Sequence, residues 1–130
     1  MFTLAQIKAA HSKVQSGADF PSYINEIKQL GVTGYETFVS DGHTVYYGLN
    51  DFKTATDVKY EALSFAEKSN AEQFKLDLKA HQQGKTNYPT FCSDCAKSGI
   101  VKWVVRMDEM TCTYYDKADN EILVELVPTS

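Results

Sequence analysis

Positive charge is in short supply in this sequence: 13 Lys and Arg stand against 17 Asp and Glu, for a formal net charge of -4. The lysines are scattered among acids, so no basic stripe exists to neutralise a phosphate backbone, and no nucleic-acid partner is expected. Long apolar runs are missing too. No stretch approaches the ~20 residues that span a bilayer, and Met1-Phe2-Thr3-Leu4 lacks the basic segment and apolar core of a secretory signal. No membrane partner is therefore expected, and the expected location is cytoplasmic. Cysteine is scarce and odd in number; Cys92, Cys95 and Cys112 fit reduced thiols better than a disulfide framework. Low-complexity tracts are absent, as are a Gly-rich phosphate loop, a nucleophile elbow and an H-E-x-x-H pair.

What remains is an ordinary globular composition. With 130 residues, 43% of them hydrophobic and 12% aromatic, the chain reads as one domain over residues 1–130, burying roughly two-thirds of the surface its unfolded form exposes. Thr3 and Gln6 form a capping box ahead of Leu4, Ile7, His11 and Val14, which recur at helical spacing until Gly17. Pro21 opens a second helix, with Tyr23, Ile24, Ile27 and Leu30 as its stripe and Gly31 as its stop. Residues 35–40 and 44–47 read as strands joined by a type I′ turn at Asp41-Gly42, which pairs Phe38 with Val45 and Glu36 with Tyr47. Residues 52–56 add a third strand, and a short helix is expected over Glu61 to Lys68. Ser69 and Glu72 cap a further helix carrying Phe74, Leu78 and His81, and Gly84 ends it. Pro89 opens the next, where Phe91, Cys92, Cys95 and Ala96 share a face up to Gly99. Residues 101–107, 111–116 and 121–127 close the chain as a three-stranded meander. The expected fold class is α+β, with helices packed on an antiparallel sheet.

The two halves resemble one another. Phe20 to Gly48 overlays Tyr88 to Asp116 at an offset of 68 residues, as 88 stands from 20 and 116 from 48. Pro21 then meets Pro89, Gly31 meets Gly99, Tyr35 meets Trp103, and Tyr46-Tyr47 meets Tyr114-Tyr115. Two readings stay open: duplicated helix-helix-meander units, or helix stops and strand propensities that repeat the same residue types without duplication. In the first, a cleft between the units is the default ligand site.

The segment Ser16-Gly17-Ala18-Asp19-Phe20-Pro21, the hairpin Val39-Ser40-Asp41-Gly42-His43-Thr44, and the run Lys102-Trp103-Val104-Val105 through Met110-Thr111-Cys112-Thr113-Tyr114-Tyr115-Asp116 carry a likeness over nearly the whole chain. By these stretches the sequence resembles a family of small bacterial and prophage-associated proteins, domain of unknown function family 1398. Some members carry the label phage envelope protein. Arg106 departs from the family pattern, which tends to place an acid there. The resemblance implies a fold and assigns no catalytic residue.

Three constellations carry candidate chemistry. Cys92-Ser93-Asp94-Cys95 is a C-x-x-C on a helix, where the dipole could activate a thiol. It does not follow a strand in a βαβ unit, so two small residues packing three apart compete with redox exchange. Cys92, Cys95 and Cys112, with His81 as a fourth ligand, would make a structural zinc site. His43, beside the Asp41-Gly42 turn and on the side of Glu36 and Tyr47, suits acid-base work or simply solvates a turn. His11, on the apolar stripe of the first helix, reads as a hydrogen-bonded core histidine.

The paired tyrosines matter most. Adjacent strand residues point to opposite faces, so each Tyr-Tyr pair gives one ring to the helices and one outward; Tyr47 and Tyr115 are the outward ones. The expected function is a non-enzymatic module that binds a protein or small molecule, or a second copy as a homodimer, around Tyr47, Tyr115, His43, Glu36 and Trp103. No cofactor is expected. The alternative is a small cysteine-dependent redox or zinc-binding protein, or an enzyme with its site between the two units.

Overall fold

A computed structural model describes residues 2–14 and 19–126. The N-terminal capping box forms as expected: the Gln6 side chain accepts from the Thr3 N–H at 2.8 Å and the Thr3 hydroxyl from the Gln6 N–H at 3.2 Å. It starts α1 (Leu4–His11), which is followed by α2 (Phe20–Leu30), β1 (Val32–Phe38), β2 (Thr44–Gly48) and β3 (Lys53–Ala55). The second half repeats this order as α3 (Ala71–Gln82), α4 (Tyr88–Lys97), β4 (Ile100–Arg106), β5 (Thr111–Asp116) and β6 (Glu121–Leu126). Gly17, expected to stop α1, and Val127, at the expected end of the last strand, lie outside the described residues. Among the described residues no helix is long and apolar enough to cross a membrane.

The six strands form one antiparallel sheet in the order β3-β2-β1-β4-β5-β6. The protein is therefore α+β. Strand periodicity decides which residues meet the helices. Tyr35, Thr37, Tyr46, Trp103, Val105, Cys112 and Tyr114 are buried on one face, against Ile24, Ile27, Phe74, Phe91 and Cys95 of the helices. Phe74 is fully buried, its ring 4.8 Å from Tyr114, and Phe91 lies 5.6 Å from Trp103. No described helix covers the other face. One cross-strand row there runs the full width of the sheet: Ala55, Val45, Glu36, Val104, Thr113 and Val124.

Corresponding ladders of the two halves share their register at the 68-residue spacing. Tyr35 opposes Tyr46 as Trp103 opposes Tyr114, and Gly34 opposes Tyr47 as Lys102 opposes Tyr115. The first hairpin has a bulge between Val32 and Gly34, and the second has one between Ile100 and Lys102. Left-handed backbone falls at Gly42 and Met110 in the hairpin loops, and at Asp51 and Asp119 in the loops that follow. Where the halves meet, β1 and β4 pair about Glu36 and Val104, two residues that are themselves 68 apart. The meeting line is thus a β-ladder, not a cleft.

Three sequence expectations need correction. The first hairpin pairs Glu36 with Val45, two residues away from the register that a two-residue turn would set. Val39 is fully buried and its N–H bonds to the Val101 carbonyl of β4 at 2.9 Å, which draws the chain out of the hairpin ahead of the expected turn. The loop then closes at Phe38 and His43, with the Gly42 N–H on the Phe38 carbonyl at 2.8 Å. A shift of two preserves the faces, so Tyr47 still points outward. Next, residues 61–68 form no helix. Their backbone bonds go elsewhere, Leu63 N–H to the Ser40 carbonyl and Ala66 N–H to the Ala96 carbonyl, while the Tyr60 hydroxyl donates to the Val39 carbonyl at 2.5 Å. The connector is docked along the hairpin tip and α4 by these long-range bonds. Finally, α3 is capped by Asn70 instead of Ser69, the Asn70 side chain accepting from the Gln73 N–H at 3.1 Å.

Candidate functional site

The open sheet face gathers the outward tyrosines around an ion pair. Glu36 lies on β1 and Lys102 on β4, diagonal neighbours across the central ladder. Lys102 Nζ stands 3.0 Å from Glu36 Oε2, and the two side chains are only 25% and 18% exposed. The Tyr47 hydroxyl donates to Glu36 Oε1 at 3.4 Å, and Lys102 Nζ sits 5.2 Å from the centroid of the Tyr115 ring, within cation–π range. Asp119 Oδ1 is 3.9 Å from the same ammonium. The result is an array, Tyr47–Glu36–Lys102–Tyr115, with one tyrosine contributed by each half. Arg106 follows on β4, and Tyr115 is the main cause of its raised pKa. Thr113 is only 2% exposed although it belongs to the open face.

Electrostatics fixes this array near neutral pH. The hydrogen bond to Glu36 raises the Lys102 pKa, with Asp119 and Tyr115 adding to it. Partial burial raises the Tyr47 phenol, helped by the Glu36 charge, and Tyr115 raises Arg106. Each shift favours the form already present at neutrality: ammonium, phenol, guanidinium. Groups held in one charge state are poorly matched to proton transfer, which needs a pKa near the working pH.

The other sequence candidates separate. His43 stands at the hairpin tip, its ring stacked on Phe38 at 4.6 Å and its Nδ1 2.5 Å from Asp41 Oδ1. Asp41 also accepts the His43 backbone N–H at 3.1 Å, and the His43 ring bond is the main cause of its lowered pKa. Trp103 lies on the helix-covered face at 8% exposure, packed between Tyr88, Phe91 and Tyr114. It belongs to the core and not to the open array.

Cys92 and Cys95 are fully buried on α4, and Cys112 is buried on the same side of the sheet as Trp103. All three are free thiols. Burial raises Cys92, against an opposing effect of the Tyr60 and Tyr88 phenols; it raises Cys95 strongly and pushes Cys112 up to about 12. His81 stacks on Phe91 at 4.4 Å and its Nδ1 meets the Thr86 carbonyl at 3.1 Å. Among the described residues no three or more of His, Cys, Asp and Glu are grouped to hold a metal ion. His11 is exposed, not core; its ring edge meets Tyr23 at 5.3 Å, and partial burial, then Lys59, lowers its pKa.

Sequence reasoning missed Lys102 and Arg106. They were visible as the cations alternating with Trp103 and Val105, but their partners lie on other strands. Two surface depressions are lined by other residues than Tyr47, Glu36, Lys102 and Tyr115: one at Ala66, Ser69, Gly99 and Asp116–Ala118, another of about 370 Å³ between α3 and β6.

Residues 8–126 match the family described as protein of unknown function, DUF1398. The chain belongs to that family. The match takes in both hairpins, the central ladder and every residue of the open array. No protein in the curated set matches this family member.

Proposed function

We propose that this chain is a non-enzymatic binding module whose recognition surface is the open face of the sheet, and that its partner is a protein. The observation that carries this reading is the Tyr47–Glu36–Lys102–Tyr115 array, a partly desolvated ion pair flanked by two aromatic rings with no helix over it. Tyrosine and arginine are enriched where proteins meet, because each combines large contact area with hydrogen-bonding capacity. A small molecule instead needs a concavity that buries most of its surface, and neither of the two depressions is lined by the four residues of the array. The matched registers of the two hairpins support reading the chain as a tandem of two helix-helix-meander units that places one tyrosine on each side of the central ladder.

The cysteine-dependent alternative is the weaker reading. A reactive thiol needs an accessible, electropositive setting, and these three are buried with raised pKa values.

The test compares the wild type with a Tyr47→Ala/Tyr115→Ala double variant as immobilised baits, followed by affinity measurement on the purified captured protein. Truncating two hot-spot tyrosines should weaken that affinity at least about tenfold, with the thermal midpoint little changed. Equal affinity of bait and double variant would refute the open face as the recognition surface. Perturbation of the face by small molecules alone, followed by amide NMR, would replace the protein partner with a ligand.

A further inference from the structure

The concavity between α3 and β6 combines an apolar lining with unpaired positive charge. Lys75, Leu78, Lys79 and Gln82 recur at the spacing that shares one helix face, and across a space of about 370 Å³ stand Leu123 and Glu125. Leu123 opposes Tyr114 and Glu125 opposes Cys112 in the β5–β6 ladder, so both belong to the helix-covered side of the sheet. Leu78, which is buried, and the half-buried Leu123 supply the apolar part of the lining. At one end the Gln82 amide donates to Glu125 Oε1 at 3.1 Å, bridging helix to strand. Toward the other end Lys75 and Lys79 are exposed, and among the described residues neither ammonium forms an ion pair or a hydrogen bond. Asp77, on the same helix, accepts from the Gln73 amide at 2.9 Å instead. Like charges four residues apart on a helix repel, and here nothing in the chain offsets them.

We propose that this groove binds a small amphiphilic anion, an apolar chain ending in one carboxylate. The carboxylate sits between Lys75 and Lys79, and the chain lies along Leu78 and Leu123 toward the Gln82–Glu125 bridge. The volume is that of a small-ligand site. A single carboxylate accepts from both ammoniums at once and removes their repulsion. The leucines then take the chain out of water, which a purely polar anion could not exploit. Lys79 lies in the last turn of α3, where the helix dipole is negative and no free N–H groups cradle a phosphate, so a singly charged head suits the site. Glu125 bars a second negative charge at the far end. Between Lys75 and Gln82 the helix rises about 10 Å, the reach of an extended octyl chain.

The experiment titrates octanoate into the full chain and follows amide NMR shifts, with 1-octanol, octylamine and acetate as comparison probes. Octanoate should give saturable shifts confined to α3 and β6, 1-octanol should bind at least about fivefold more weakly, and octylamine and acetate should not saturate. Lys75→Gln/Lys79→Gln should weaken octanoate at least about fivefold. Both lysines are exposed and glutamine keeps helix propensity, so an unchanged thermal midpoint verifies the fold of this variant. Lys8→Gln/Lys28→Gln removes the same charge from exposed positions of α1 and α2 and should leave the affinity as it was. Suberate, with a carboxylate at each end, should bind less well than octanoate, and Glu125→Gln should narrow that difference. The proposal is overturned if octanoate gives no saturable shifts in α3 and β6, if 1-octanol binds equally well, or if the two lysine double variants lose affinity alike. None of these substitutions alters Tyr47, Glu36, Lys102 or Tyr115, so the fate of the proposed recognition face is read independently.

Discussion

Gly84 and Gly99 share nearly the same backbone, φ +78° and +76°, but differ in what surrounds them. An added Cβ at Gly84 meets nothing within 4 Å, whereas at Gly99 it would stand 2.9 Å from Ser69 Cα and 3.1 Å from Lys68 O. Alanine at either site bears the left-handed penalty of about 1 kcal/mol. At Gly99 the obstructing atoms are backbone, and they are held in place. The Asn70 N–H bonds to the Ser98 carbonyl at 2.9 Å, and the Asn70 side chain caps α3. Relieving the clash means loosening that cap or shifting the connector, an overpacking cost of about 2 kcal/mol more. For 130 residues, 1 kcal/mol moves the thermal midpoint by about 4 °C. Gly84→Ala should therefore lower the midpoint by about 4 °C and Gly99→Ala by about 12 °C, measured by circular dichroism melts and checked by urea denaturation. Equal shifts would refute the docking of the connector against the start of β4, since only that contact distinguishes the sites.

Three further outcomes are expected. Cys92, Cys95 and Cys112 should resist Ellman's reagent in the native state and react fully on unfolding; fast native labelling would contradict their burial. Asp41 has a folded pKa below its ordinary 3.8, so its contribution to stability is complete above that value and disappears as pH falls through the depressed one. Asp41→Asn should thus lose stability at neutral pH and show a flatter urea midpoint in the acid range, and an unchanged pH profile would dismiss the His43 contact. Glu36→Gln should cost about 1 kcal/mol, a figure that shrinks in a Lys102→Met background if the two side chains are coupled.

Much of the fold was legible because it is written locally. Capping residues placed α1, glycines at 31 and 99 marked the ends of the helices before them, and alternation gave the first hairpin and β4 their faces. The hairpin register was off by two because Val39 is held by β4, a strand more than sixty residues away. The connector misled for a related reason: Tyr60, Leu63 and Phe65 are apolar enough for a helix, but their segment bonds to the hairpin tip and to α4. Tyr47, Tyr115 and Glu36 could be read from parity alone, and the same alternation puts Trp103 on the apolar face, where it is buried. Lys102 and Arg106 gained meaning only once β1 lay beside β4.

That central ladder has a kinetic consequence. Its partners stand 64 to 72 residues apart, as Phe38 does from Lys102 and Gly34 from Arg106, while every other pairing closes within a hairpin. Closing so long a loop costs about 2 kcal/mol more entropy than closing a hairpin, so the middle of the sheet zips last. Until it does, β1 and β4 are raw edges of two half-sheets, and a chain emerging nearby offers each of them the same partner that its own other half will supply.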